Sequence, residues 1–287
     1  MWHLKAHGRT AEQSLDWQMS LPPIEDVLAQ VGRLDDSPGD DTGRTRFRRY
    51  LEENVTEPGQ LRDYIDQCLD RSEERYARAL QDLVTQLGRF LGFGVRHAPY
   101  EWLPGQIGFD GRWASNWEVS VVIEIKTRET YEALTPTLAR SIQRLINDGE
   151  IPNWSRALGL YVIARPDLHL NHLEKAILDE RQAHQLRIAS LDALFTLADL
   201  LYEETLTHQD VLTVLRSSSP TADWLVELVA RLARLQEADT FCDGLNADLN
   251  ALGAEIDKVV EGLADCILRP FELLFGDDAA SGPTDES

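Results

Sequence analysis

Lysine is nearly missing from this chain: of its 28 basic residues only Lys5, Lys126, Lys175 and Lys258 are lysines. Positive charge therefore rests on arginine, whose planar fork suits phosphate, although a GC-rich genome or a high-salt cytoplasm gives the same bias. Cysteine is also scarce. Cys68, Cys242 and Cys266 are odd in number and lack Cys-x-x-Cys spacing, which excludes a disulfide framework and a zinc site and leaves buried free thiols. No apolar run approaches the roughly 20 residues of a membrane span, so no membrane partner is expected. The N-terminus, Met-Trp-His-Leu-Lys-Ala-His-Gly, has no apolar leader segment, and a cytoplasmic protein is expected.

A net positive charge is lacking too. The 287 residues carry a formal charge of −21, which rules out capture of nucleic acid by overall charge. The acid is unevenly spread: residues 71–200 hold 15 basic against 17 acidic side chains, and the rest of the chain 13 against 32. The middle is close to neutral and the flanks are acidic.

Within that middle, Glu118 to Thr127 reads as a strand from its β-branched run and its period of two. Alternation sends Val119, Val121, Ile123 and Ile125 to one face, and Val122, Glu124 and Lys126 to the other. An acid and a base on one face of an apolar strand are costly to bury without partners. Asp110 ends a short apolar stretch before Gly111, with thirteen residues between it and Glu124, a separation that lets a hairpin bring the two carboxylates together. Converging carboxylates repel, and a hard divalent cation relieves that repulsion while keeping waters for chemistry. Lys126 beside it would orient water or stabilise charge on a phosphate.

Asp110, then Glu124-x-Lys126 on the next strand, resembles the site of the PD-(D/E)xK nuclease superfamily, with Phe109 where the family has its leading Pro. Leu80-Gln81-x-x-Val84-x-x-Leu87 followed by Leu91-Gly-Phe93-x-Val95 is similar to the helix that opens the Mrr-like branch, which has Glu at the position of Gln81. Glu73 is an alternative extra ligand on that helix, or simply a helix-start acid. Gln143 resembles the glutamine that follows the Glu-x-Lys strand in the RecB-like branch. The resemblance implies a magnesium ion, with manganese as substitute, held by Asp110, Glu124 and the carbonyl of Ile125. It also implies Lys126 and Gln81 as catalytic partners and DNA as substrate, with Arg112 beside the scissile phosphate.

Around this core the chain reads as a run of helices and strands. Pro22-Pro23 opens a helix over Ile24–Val31. The densest basic run, Arg44-Thr-Arg46-Phe-Arg48-Arg49, is either a phosphate-gripping patch through Arg46, Arg48 and Arg49 or a solvated helix face. Helices follow from near Gln60 and from Ser72 to Gly92, then strands over Phe93–Tyr100 and Gly105–Trp113 before the Glu118 strand. Leu138–Asp148 is a helix whose polar side, Arg140, Gln143 and Arg144, is a candidate cleft wall. Leu158–Ala164 is apolar throughout, as a strand covered on both faces would be. A helix over Leu170–His184 and a short strand over Leu186–Ser190 complete the pattern. His169 and His172 have helical spacing but no third ligand nearby, and read as solvated.

The expected fold is α/β: a three-layer α/β/α restriction-endonuclease-like core with a mixed sheet over 71–204, an N-terminal helical region over 1–70, a C-terminal helical module over 205–275 and an acidic disordered tail over 276–287. The expected function is metal-dependent cleavage of DNA in restriction or anti-phage defence, assisted by a homodimer or protein partner through the C-terminal helices. The alternatives are a non-catalytic scaffold subunit and an RNA-directed nuclease.

Overall fold

A computed structural model describes residues 21–102, 108–127, 135–165, 170–179 and 185–235, with Ala254 and Lys258 as isolated helical positions. Contacts divide the chain into two units, residues 1–230 and 231–287. In the second, residues 231–235 are helical. The expected helix over 245–275, the acidic tail, Cys242, Cys266, His169 and the His172 side chain lie outside the described residues.

The first unit opens with helices α1 (Ile24–Val31), α2 (Gly43–Asn54) and α3 (Pro58–Leu69). Thr42 caps α2 reciprocally with Thr45, and Pro58 starts α3 at a position where its missing N–H costs nothing. Helix α4 (Glu74–Phe90) buries Tyr76, Leu80, Leu83, Val84 and Leu87 at helical spacing. It stops at Gly92, where φ is +83°, with Phe93 N–H donating to Gly88 and Gly92 N–H to Arg89, the paired bonds of a glycine-terminated helix. A side chain at Gly92 would also meet His208 at 2.7 Å.

The chain then forms β1 (Gly94–His97), β2 (Gly111–Ala114) and β3 (Ser120–Lys126), followed by α5 (Thr135–Asn147), β4 (Ala157–Ile163), α6 (Leu170–Asp179), β5 (Leu186–Ser190), α7 (Leu191–Tyr202) and α8 (His208–Leu215). Strand order equals sequence order, β1-β2-β3-β4-β5. The first three strands are antiparallel and the last three parallel, so the sheet is mixed and its two parallel connections run through α5 and α6.

Alternation decides which layer each side chain joins. Val121, Ile123, Leu158, Leu160 and Val162 share a cluster with α4, α7 and the N-terminal helices. Val122, Tyr161 and Ile163 join Leu138 and Ile142 of α5 and Leu173 and Ile177 of α6 on the opposite face. The result is the three-layer α/β/α arrangement expected. All seven residues of β4 are buried, as a strand covered on both faces requires. The N-terminal helices belong to the same cluster as the sheet: Phe47, Leu51 and Leu61 are fully buried in it.

Three expected boundaries move. Strand β1 is only four residues long, and Asp110 lies in the bend immediately before β2 rather than within a strand. Glu118 sits in the β2–β3 turn with φ of +61°, so β3 begins two residues later than the β-branched pattern suggested.

Candidate active site

Strand pairing does the assembling. Gly111 stands opposite Ile123, and in the bend just before it the Asp110 N–H also donates to the Ile123 carbonyl, at 2.9 Å. That bond ends the ladder and holds Asp110 beside β3, where Glu124 and Lys126 both act on its carboxylate. Gly111 is required in this approach, since a Cβ there would lie 2.5 Å from Thr85 Oγ1 on α4.

The Asp110 carboxylate is fixed from β3: its Oδ2 accepts the main-chain N–H of Ile125 at 2.7 Å. Within a strand a residue's N–H and C=O point to the same side, so the Ile125 carbonyl is directed toward Asp110 as well. The Lys126 carbonyl points the other way and accepts from Ala164. Burial pushes the Asp110 carboxyl up to about 6; the Ile125 amide opposes the shift, Glu124 adds to it, and Lys126 opposes it.

Glu124 and Lys126 share the face of Val122 and are largely covered, with side chains 13% and 15% exposed. Lys126 Nζ donates to Glu124 Oε1. Glu124 Oε2 is buried with no hydrogen-bond partner, and a carboxylate oxygen left in that state is costly. Among the described residues no three His, Cys, Asp or Glu side chains converge, so what this site offers a cation is two carboxylates, one main-chain carbonyl and room for water.

Gln81 stands beside the site. Its Nε2 donates to the main-chain carbonyls of Asp110 at 3.1 Å and Pro99 at 3.2 Å, tying α4 to the backbone that presents the carboxylate. Glu73 is exposed at the start of α4, two helical turns before Gln81, and does not join the site.

Most guanidiniums of the basic run are spent inside the protein. Arg44 pairs with Asp36. Arg46 donates twice to the Val31 carbonyl, 3.1 Å and 2.8 Å, and pairs with Asp41. Arg48 grips Asp82 through Nε and Nη2 at 2.8–3.1 Å and also reaches the Ala98 carbonyl. Asp82 is wholly buried, with Tyr100 donating to it and His97 Nδ1 at an ion-pair distance of 3.1 Å. Burial raises its carboxyl, but His97 and Arg48 together outweigh that and hold it below the usual carboxylate range. Only Arg49 of the three is exposed.

On α5, Gln143 donates to Asn147 and accepts from the Trp154 indole N–H, each at 2.9 Å. Trp154 precedes β4, at the end of the sheet away from Glu124 and Lys126, so Gln143 does not line the site. Arg144, one residue on, pairs with Asp148. Arg140 is exposed a turn nearer the start of α5. Arg112 lies on β2 on the face of Glu124, one rung away, almost fully buried and paired with Glu150 at 3.1 Å. Opposite it on β1 stands Arg96, a residue the motif gives no reason to select; the antiparallel pairing of two hairpin strands is the signal that finds it.

No protein-family model matches the chain, and no curated protein does. Among solved structures it is similar to the restriction endonuclease FokI, at 15% identity over 58% of this chain and 32% of that one, with a TM-score of 0.39. It is also similar to FokI bound to DNA, at 13% identity over 60% and 32% of the two chains, with a TM-score of 0.36. The chain thus spans about a third of the structures it matches. No helix among the described residues is long and apolar enough to cross a membrane.

Proposed function

We propose that the chain is a cytoplasmic, metal-dependent nuclease of the PD-(D/E)xK superfamily, Mrr-like branch, that hydrolyses phosphodiester bonds in DNA during restriction or defence against invading DNA. The observation that carries this reading is the meeting of three charged groups: Asp110, held by the Ile125 amide in the bend before β2, and Glu124 and Lys126 on one face of β3. A cation is supported by the donor set itself. Glu124 Oε2 is buried without a partner, and Asp110 is driven toward its neutral form by burial with a second carboxylate nearby, a repulsion that a bound ion relieves.

Asp110, Glu124 and the Ile125 carbonyl would hold magnesium, with manganese as substitute, because hard cations take oxygen donors and keep several waters. When bound, such an ion polarises the phosphate and makes its water a stronger nucleophile. The residues of the chain do the rest. Ile125 N–H orients the Asp110 carboxylate, and Gln81 holds the Asp110 backbone against α4. Lys126, sharing Glu124 with the ion, places its ammonium where negative charge grows on the phosphate oxygens. Cutting both strands with one such site is served by two copies. We place a homodimer or partner contact at the C-terminal helices, whose first turns expose Trp224 and Leu228.

The test is incubation of the full chain with plasmid, linear duplex, single-stranded DNA and RNA in magnesium, in manganese and in EDTA. Cation-dependent cleavage of DNA is expected. Cleavage of RNA alone would reassign the substrate, and no cleavage with either cation would leave a scaffold subunit.

A further inference from the structure

The face of the sheet beside the carboxylates continues downward into two rungs. Below Asp110 and Glu124 comes Arg96, Arg112 and Val122; below that come Gly94, Ala114 and Ser120. Acid, arginine and small side chains therefore follow one another on β1 to β3 at steps of about 6.6 Å, two residues of extended chain.

The arginine rung is unusual in its own right. Like charges directly opposite on neighbouring strands destabilise a sheet, yet Arg96 faces Arg112 with no intervening acid. Glu150 offsets this only from one side, through a half-exposed side chain, and leaves Arg112 Nη1 buried without an aligned hydrogen bond. Arg96 is exposed and has no ion-pair partner among the described residues. Two guanidiniums that repel, one with an unsatisfied buried N–H, are suited to an anion that bridges them. The small rung beneath keeps the approach low: a Cβ built on Gly94 meets nothing closer than the Ala114 carbonyl at 3.6 Å.

We infer that Arg96 and Arg112 together draw in the DNA phosphate next to the scissile one, Arg96 contacting it at the exposed β1 edge and the buried Arg112 adding its charge from beneath. The bound strand then leaves Asp110 and Glu124 along β1 toward Gly94, clear of β3, whose Val122 is packed under α5. The position of the scissile phosphate rests on the nuclease reading; the arginine rung does not. Arg96 is then a substrate-binding residue. Because it sits exposed on an edge strand opposite a like charge, its loss leaves the fold intact.

The experiment reads binding rather than cleavage. A short fluorescein-labelled DNA duplex is titrated in EDTA with the full-length wild type, R96A and R49A at several salt concentrations, followed by anisotropy. R96A is expected to bind roughly three- to tenfold more weakly at low salt and to lose about one from the slope of log affinity against log salt, the signature of one phosphate contact. R49A, exposed on α2, is expected to bind as wild type, and R96A to melt at or above the wild-type temperature. Wild-type affinity and slope in R96A would overturn the inference. So would an equal loss in R49A, which would indicate diffuse attraction, or a wild type with no measurable affinity. A chain that binds through Arg96 and never cuts keeps this inference and loses the nuclease reading. One that cuts while R96A binds and cuts unchanged does the reverse.

Discussion

The Ile125 amide donates to the Asp110 carboxylate at 2.7 Å, so the strand that carries Glu124 and Lys126 also aims the acid that faces them. That bond holds Asp110 in one orientation before any ligand arrives, the condition for a site whose groups must converge within fractions of an ångström. It does so at a cost, because the same geometry buries the carboxylate beside Glu124.

This cost is measurable. The Asp110 pKa is raised from 3.8 to about 6, so the folded chain favours the protonated acid. Its stabilising contribution is full below the unfolded value and is lost as pH rises through the folded one. Above that window an ionised Asp110 costs about 2 kcal/mol, discounted for partial solvent access. D110N, which keeps an oxygen for the Ile125 amide, is therefore expected to be more stable than wild type by about that amount in EDTA at alkaline pH, the two curves converging in acid. Denaturant unfolding across pH checks this; equal stability throughout would contradict it.

Arg48 and Arg49 are adjacent in sequence and opposite in consequence. R48A leaves the buried Asp82 to Tyr100 and His97 alone, a loss of about 3 kcal/mol, whereas R49A at an exposed position falls within about 0.5 kcal/mol of wild type. Urea unfolding of both variants separates them. Equal effects would mean that Arg48 is not committed to the interior.

That contrast marks where the sequence stopped being legible. Strands β3, β4 and β5 and helices α1, α4 and α5 follow from periodicity, because burial of one face or two is written into consecutive residues. The approach of Asp110 to Glu124 follows from hairpin spacing. Arg48, by contrast, meets its acid 34 residues away, and Arg46 spends its donors on the carbonyls of Val31 and Asp41; no local pattern distinguishes such arginines from solvent-facing ones. The bend at Asp110 and the left-handed turn at Glu118 were hidden for a related reason, since each is set by strand pairing and not by the residue's own preference.

Gln81 is expected to act on position rather than on the ion. Q81A removes a donor from the carbonyls of Asp110 and Pro99 and leaves Asp110 only the longer bond from the Thr85 hydroxyl at 3.4 Å, costing about 1 kcal/mol. It should slow cleavage while leaving manganese affinity within a few-fold of wild type. Calorimetric titration with manganese, beside a plasmid assay, tests this. Abolished metal binding in a folded Q81A would make Gln81 a direct ligand.

Lys126 should behave in the opposite way to the carboxylates. K126A removes a positive charge next to the ion, so metal affinity is held or increased, while the chemical step slows by about a hundredfold or more as transition-state charge loses its partner. Single-turnover cleavage under saturating magnesium reads that step. A folded K126A that cuts at the wild-type rate would remove Lys126 from the mechanism.

The most direct test of the account is nicking of supercoiled plasmid in magnesium by wild type and E124Q side by side, both shown to be folded. Glu124→Gln keeps the shape of the side chain and removes only the charge that the buried, unpartnered Oε2 presents to a cation. The account predicts cleavage by wild type that EDTA abolishes, and none detectable by E124Q. Cleavage by E124Q at the wild-type rate would contradict it.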